Sequence, residues 1–222
     1  MYALKRKIRE SAFLMTILSA IYRFVMMNSL RGRQHMELSW GGAFAKRLII
    51  KNHGINNKVI IEEGCRIYNS EIQLFGNNNV LHIKKDCYLR NANLWISDES
   101  EVNIGQNTHL TGKIHMACLE KTNITIGDRC MFSNEIVMRT SDSHSILNKF
   151  GTRTNLAKNI TIGNHVWVGQ QVIILKGAEI GSDSVIGTRA LITDKKFNPG
   201  SLIVGTPARV VDEQINWDHR LM

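Results

Sequence analysis

The chain has 222 residues, 43% of them hydrophobic, and a formal net charge of +9, which allows one sizeable core plus an appendage. The charge suggests nucleic acid until it is located. The first 33 residues hold Lys5, Arg6, Lys7, Arg9, Arg23, Arg31 and Arg33 against Glu10 alone, +6 of the total. The remaining body has no aromatic–basic surface signature in its sequence, so no nucleic-acid partner is expected.

Residues 1–33 read as a basic amphipathic N-terminal helix, with an apolar run from Ala12 to Met27 broken by Arg23. The run is too short and interrupted to span a membrane, which takes ~20 apolar residues. Nor does a convincing A-x-A cleavage site follow it. Packing on the body or on another subunit is one expected role; peripheral contact with an anionic membrane surface is the other. Residues 34–60 read as a capping and transition segment, and residues 61–211 as the body.

Through the body an aliphatic residue recurs at sixes. Ile61 and Ile67, then Ile83, Leu89 and Trp95, then Ile104, Leu110 and Met116, then Ile126, Phe132 and Met138 mark successive units. The pattern is cleanest at Ile162, Val168, Ile174, Ile180, Ile186 and Ile192, with Gly at 163, 169, 181 and 187. A small or compact residue follows four places after each of the first five: Val166, Val172, Ala178, Ser184 and Ala190. Neither a helix nor a plain strand has that period. It predicts a parallel β-helix, an all-β solenoid whose coils are three short strands joined by tight corners.

Cys65, Cys87 and Cys130 fall in the small-residue slot and are expected to be buried and apolar. Their irregular spacing and the lack of a CxxC suggest neither disulfides nor a metal site, which fits a reducing, cytoplasmic compartment. Residues 139–159 form the one long break in the pattern, and loops on a rigid scaffold are where chemistry concentrates. Residues 212–222 read as a C-terminal tail forming a short helix.

Three runs carry a family resemblance: Gly163-Asn164-His165-Val166-Trp167-Val168-Gly169, Ile174-Leu175-Lys176-Gly177, and Gly200-Ser201-Leu202-Ile203-Val204-Gly205-Thr206-Pro207-Ala208-Arg209. They resemble the C-terminal half of hexapeptide-repeat acyltransferases, left-handed parallel β-helix enzymes that use acetyl-CoA. Ser141-Asp142-Ser143-His144-Ser145-Ile146 is similar to the catalytic-histidine loop of members that O-acetylate capsule, O-antigen or sialic-acid-containing glycans. The resemblance covers about residues 55–211. It implies a homotrimer with active sites between subunits, a carbohydrate acceptor and acetyl-CoA as co-substrate, with no metal.

His144 is the candidate general base, because attack by a sugar hydroxyl on a thioester needs proton removal and an imidazole near neutrality suits it. Asp142 is the candidate to orient that ring or to contact the acceptor. The resemblance places Trp167 beside the catalytic loop and puts Gly169, Gln170, Gly187 and Thr188 along the pantetheine arm. Lys176, Lys195 and Arg209 are candidates for the phosphates of CoA. The familiar Thr-Lys-Asp after the last coil reads Thr193-Asp194-Lys195 here, which departs from the family pattern at Lys195.

The expected activity is O-acetylation of a carbohydrate hydroxyl in surface-polysaccharide biosynthesis. N-acylation of an amino sugar or nucleotide-linked amino sugar is the alternative. A zinc-dependent carbonic anhydrase on the same scaffold is disfavoured, since His109 and His115, six apart, are expected on different faces.

Overall fold

The computed structural model describes residues 28–220 together with Ile17. They wind into a parallel β-solenoid whose coils lay one strand on each of three faces. The first face is an eight-stranded sheet. Its strands are Met36–Trp40, Asn57–Ile61, Val80–Ile83, Glu101–Ile104, Asn123–Ile126, Ile160–Ile162, Glu179–Ile180 and Lys196–Phe197. The second and third faces are joined into a 15-stranded sheet, because Phe44–His53 and Arg66–Phe75 each bend through both. The second continues through Tyr88–Arg90, His109–Leu110, Met131–Phe132, Trp167–Val168, Val185–Ile186 and Leu202–Val204. The third continues through Ala92–Ser97, Ile114–Cys118, Ile136–Arg139, Ile173–Leu175 and Leu191–Ile192.

Register explains the period of six. Ile61, Ile83, Ile104, Ile126, Ile162, Ile180 and Phe197 pair in one continuous column. All are at most 3% exposed, so each coil buries its aliphatic side chains against copies above and below. The small-residue slot forms a second column, in which Cys65, Cys87, Cys130, Val166 and Ser184 are all buried. The amide following each slot donates to the slot carbonyl of the next coil: Arg66 N–H to Cys87 O, Met131 N–H to Val166 O, Trp167 N–H to Ser184 O.

The corner glycines are required by close approach between coils. A Cβ on Gly163 would stand 2.6 Å from Ser182 N, and one on Gly181 only 2.3 Å from Pro199 N. The left-handed residue of that corner comes later and is mostly not glycine: Asp86, Asn107, Arg129, His165 and Asp183 all have φ between 54° and 60°.

Four boundaries differ from the sequence reading. Apart from Ile17, the helix expected over 1–33 lies outside the described residues except at its end. There Ser29–Arg31 is a strand parallel to Phe44–His53, fixed by Asn28, whose side chain accepts from Leu48 N–H at 2.8 Å and donates to Ala45 O at 3.1 Å. Residues 34–60 are not a separate cap: Met36–Trp40 pairs in register with Asn57–Ile61, so winding begins before residue 61. On the third face Leu94, not Trp95, points inward: it is fully buried while Trp95 is 39% exposed. Asn91 turns that corner with φ 53° and shortens it by one residue. Finally, the tail is not a helix. Arg209–Asp212 pairs antiparallel with Leu202–Val204, and the residues after it run on without regular structure.

A buried polar ladder climbs the corner between the third and first faces. Asn57 donates to Asn52 Oδ1 at 2.6 Å, Asn79 N–H to Asn57 Oδ1 at 2.7 Å, and Ser100 N–H to Asn79 Oδ1 at 3.1 Å. Thr122 N–H then donates to Ser100 Oγ at 3.3 Å, and the Thr122 hydroxyl to Thr140 Oγ1 at 2.6 Å. The ladder ends where the long loop departs, so the loop starts from a fully satisfied, rigid base.

Candidate active site

Ile124 pairs with Ile160, thirty-six residues on, where the next coil repeats after eighteen, Thr161 with Glu179. The surplus leaves after Arg139, and its neck is closed by Lys158 N–H donating to Thr140 O at 3.0 Å. Inside it, Leu147 and Arg153 bridge antiparallel, and Thr154 N–H donates to Ile146 O at 2.8 Å.

Asn155 organises the excursion. Its Oδ1 accepts from Ile146 N–H at 2.7 Å; its Nδ2 donates to Asp142 Oδ2 at 2.7 Å and to His144 O at 2.8 Å. Lys176 Nζ, from the following coil, donates to Asp142 Oδ2 at 2.5 Å and to Asn155 O at 3.0 Å. The Lys176 ammonium and the Asn155 amide hold the Asp142 carboxyl below the usual carboxylate range. Asp142 is therefore engaged with Lys176 and Asn155, and not with the His144 ring. Lys176 ties the loop to the scaffold, which is a different use from the phosphate contact suggested by its sequence. The His144 imidazole is exposed and makes no bond to any described residue.

A second clamp fixes the far side of the loop. Arg153 forks onto Glu120, Nη1 to Oε2 at 2.6 Å and Nη2 to Oε1 at 3.0 Å, while Ser141 Oγ also bonds Glu120. Such bidentate pairs add geometric specificity as well as energy. Arg153 and then Ser141 hold the Glu120 carboxyl below its ordinary range. A carboxyl with a lowered folded pKa contributes order that is complete above its unfolded value, about pH 4.3. That order is lost as pH falls further, through the folded value. Loop amides should therefore lose protection, relative to their intrinsic exchange rate at the same pH, below about pH 4, read by hydrogen exchange. A Glu120→Gln chain should show that loss already at pH 7, and equal protection in both chains would refute the clamp.

Trp167 stands outward on the second face, 40% exposed. The tail crosses beside it: Trp217 stacks on His165 with centroids 4.3 Å apart, lies 5.9 Å from the Trp167 ring, and donates Nε1–H to His165 O at 2.8 Å. Gly169, Gln170, Gly187 and Thr188 occupy one corner of two successive coils, after the second face. There the exposed Gln170 and Thr188 amides donate to no acceptor among the described residues. Lys195 lies against the Phe197 ring at 5.3 Å, and Arg209 is exposed on the final strand. Within one protomer the structure thus groups His144, Asp142 and Lys176 at one edge, and Trp167 with the two glycine corners towards another.

Asn155, Glu120, Arg153 and Trp217 were not singled out in the sequence. Their partners lie 13, 33, 33 and 52 positions away, and no local spacing announces such pairs. The cysteines offer no alternative nucleophile. Burial pushes the Cys118 and Cys130 thiols up to about 11, and all four Sγ–H groups donate to backbone carbonyls. His109 and His115 stand on different faces, against Tyr88 and Trp95 respectively. Among the described residues no three His, Cys, Asp or Glu side chains gather as metal ligands. No helix among them is long and apolar enough to cross a membrane.

Residues 159–194 match the family described as bacterial transferase hexapeptide (six repeats). The polysialic acid O-acetyltransferase of Neisseria meningitidis is 40% identical over 128 residues, 56% of this chain and 58% of that protein. The Escherichia coli O1:K1 polysialic acid O-acetyltransferase is 39% identical over 79 residues, 35% of this chain and 25% of its own length. The matched stretches thus span little more than half, or less, of these curated relatives. Among solved structures, the polySia-specific acetyltransferase NeuO superimposes with a TM-score of 0.82 at 30% identity, covering 87% of this chain and 88% of its own. The polysialic acid O-acetyltransferase OatWY gives 0.77 at 32%, covering 84% and 88%. With the repeat register, the loop and these relatives in agreement, the chain belongs to the hexapeptide-repeat acyltransferase family.

Proposed function

We propose that this protein transfers an acetyl group from acetyl-CoA to a hydroxyl of a surface polysaccharide, with a sialic acid polymer as the acceptor. The single observation that carries the reading is the His144 loop: a clamped excursion from an otherwise unbroken solenoid, presenting an uncommitted imidazole. In this reading His144 takes the proton of the attacking hydroxyl. The sugar oxygen bonds to the thioester carbonyl carbon and a nearby backbone N–H steadies the oxyanion. The C–S bond then breaks, and the imidazolium returns the proton to the departing sulfur. The outward Gln170 and Thr188 amides suit the carbonyls of a pantetheine arm, and Arg209 is a solvent-facing cation for phosphate.

The proposal includes a left-handed coil sense and a homotrimer. Ile146, Leu147, Phe150 and Leu156 are 58–79% exposed on one loop, an apolar surface that a neighbouring subunit would cover. Such a neighbour would also bring a His144 edge against a Trp167 edge, which one protomer holds apart. The direct test is incubation of the chain with acetyl-CoA and polysialic acid. The expected product is hydroxylamine-labile O-acetyl ester on the polymer, with one free thiol released per ester. Thiol release that does not depend on glycan, with no ester formed, would reject the reading.

A further inference from the structure

The second face carries a groove that none of the assigned residues explains. It encloses about 610 Å³ and takes Lys46, Arg47, Arg66 and Arg90 from three successive coils, with no carboxylate in its lining. No described carboxylate pairs with any of the four. Arg66 Nε is buried without a hydrogen-bond partner, which is costly unless something is received there. Tyr68 and Tyr88 alternate with these cations in a checkerboard, since Arg66 pairs with Tyr88 and Tyr68 with Arg90 across one coil step. The sequence suggested no aromatic–basic surface on the body. Stacking creates one from residues about twenty positions apart.

This groove leads to the candidate active site. Arg66, Tyr88, His109, Met131 and Trp167 form one outward column, each paired with the next. Four strand steps of ~4.8 Å put Trp167 about 19 Å from Arg66 along the face. The geometry points to an extended binding track for an anionic glycan with a carboxylate on each sugar, anchored at Lys46, Arg66 and Arg90 and delivering a hydroxyl towards Trp167. The inference rests on the proposed acetyl transfer for its purpose, but not for its existence. Successive coils offer cations at the strand spacing, which suits a polymer charged at every short repeat. A nucleic acid fits less well, because base stacking needs a free aromatic face. Here the tyrosine rings tilt against each other at 5.7 Å and 43°, and Arg66 lies over Tyr88 at 5.7 Å.

The test is binding of a labelled sialic acid hexamer, read by fluorescence polarisation at low and moderate salt. The wild-type chain should bind the hexamer at least tenfold tighter than sialic acid monomer, and a neutral dextran oligomer not measurably. An Arg66→Ala/Arg90→Ala chain, and separately an Arg90→Glu chain changed only at an exposed position, should each lose tenfold or more. Both should keep the wild-type circular dichroism. In the transfer assay KM for polymer should rise by the same factor while kcat holds. Wild-type affinity in the folded variants would overturn the track, as would a thymidine oligonucleotide binding as tightly and losing as much. Hexamer binding that depends on these arginines, in a chain that acetylates no glycan, would sustain the track and sink the transferase reading.

Discussion

An His144→Ala chain should acetylate glycan 10²–10⁴-fold more slowly, the range typical of a lost acid–base group, with unchanged thermal stability. The second half of that expectation comes from the geometry. His144 is exposed, and its only bond to a described group is made by its backbone oxygen, which Asn155 Nδ2 holds at 2.8 Å. Alanine keeps that carbonyl, so the loop remains clamped by Asn155, Lys176 and the Glu120–Arg153 fork. Surface substitutions of this kind shift stability by within about 0.5 kcal/mol. The loss should appear in kcat, with little change in the binding of the polymer. Steady-state kinetics with wild-type turnover in the variant would remove His144 from the chemistry. A melting shift of several degrees would instead mean that the ring is structural.

The opposite profile is expected inside the prism. Phe132 is fully buried, paired below with Leu110 and above with Val168. Truncation to alanine leaves a cavity that the two neighbouring coils, held in register by their hydrogen bonds, cannot close. Phe-to-Ala changes of this type cost about 3–5 kcal/mol, and in a chain of this size each kcal/mol lowers Tm by about 2–4 °C. A drop of about 10 °C is the central expectation. Because a solenoid transmits strain mainly to adjacent repeats, the nearby strand Ile136–Arg139, from which the loop departs, should lose hydrogen-exchange protection first. Activity measured well below the new midpoint should fall only modestly. A melting shift under about 2 °C would mean the coils collapse around the gap far more readily than this packing implies.

How far the molecule could be read in advance follows from where its information lies along the chain. From Ile162 to Ile192 each coil takes eighteen residues, so the inward positions appear as plain sixes and the solenoid is legible. Up to Ile126 the coils are longer, with extra residues at one corner, and the sixes are looser. In the first winding the positions in register with Ile61, Ile67 and Ile72 are Trp40, Ala45 and Ile50, five apart rather than six, so the period is lost there and this one winding reads as a cap. Trp95 reads as inward for a related reason: a left-handed asparagine at 91 shortens that corner by one residue, so on this strand Leu94 takes the inward place and Trp95 turns outward. The loop bearing His144 was legible as a break in rhythm. The groups that hold it were not, because Glu120, Asn155 and Lys176 meet only after winding is complete. The cation–tyrosine checkerboard was hidden in the same way.

The closed neck between Thr140 and Lys158 makes the excursion an exchangeable cassette. Its two stems land on stations that the scaffold already defines, so its contents can change without resetting the winding on either side. The entropic penalty for lengthening such an insert is slight, about 0.6 kcal/mol for each doubling. One barrel of stacked coils can thus host inserts of very different length and composition, and divergence in what the enzyme accepts need not be matched by divergence in how it stands up.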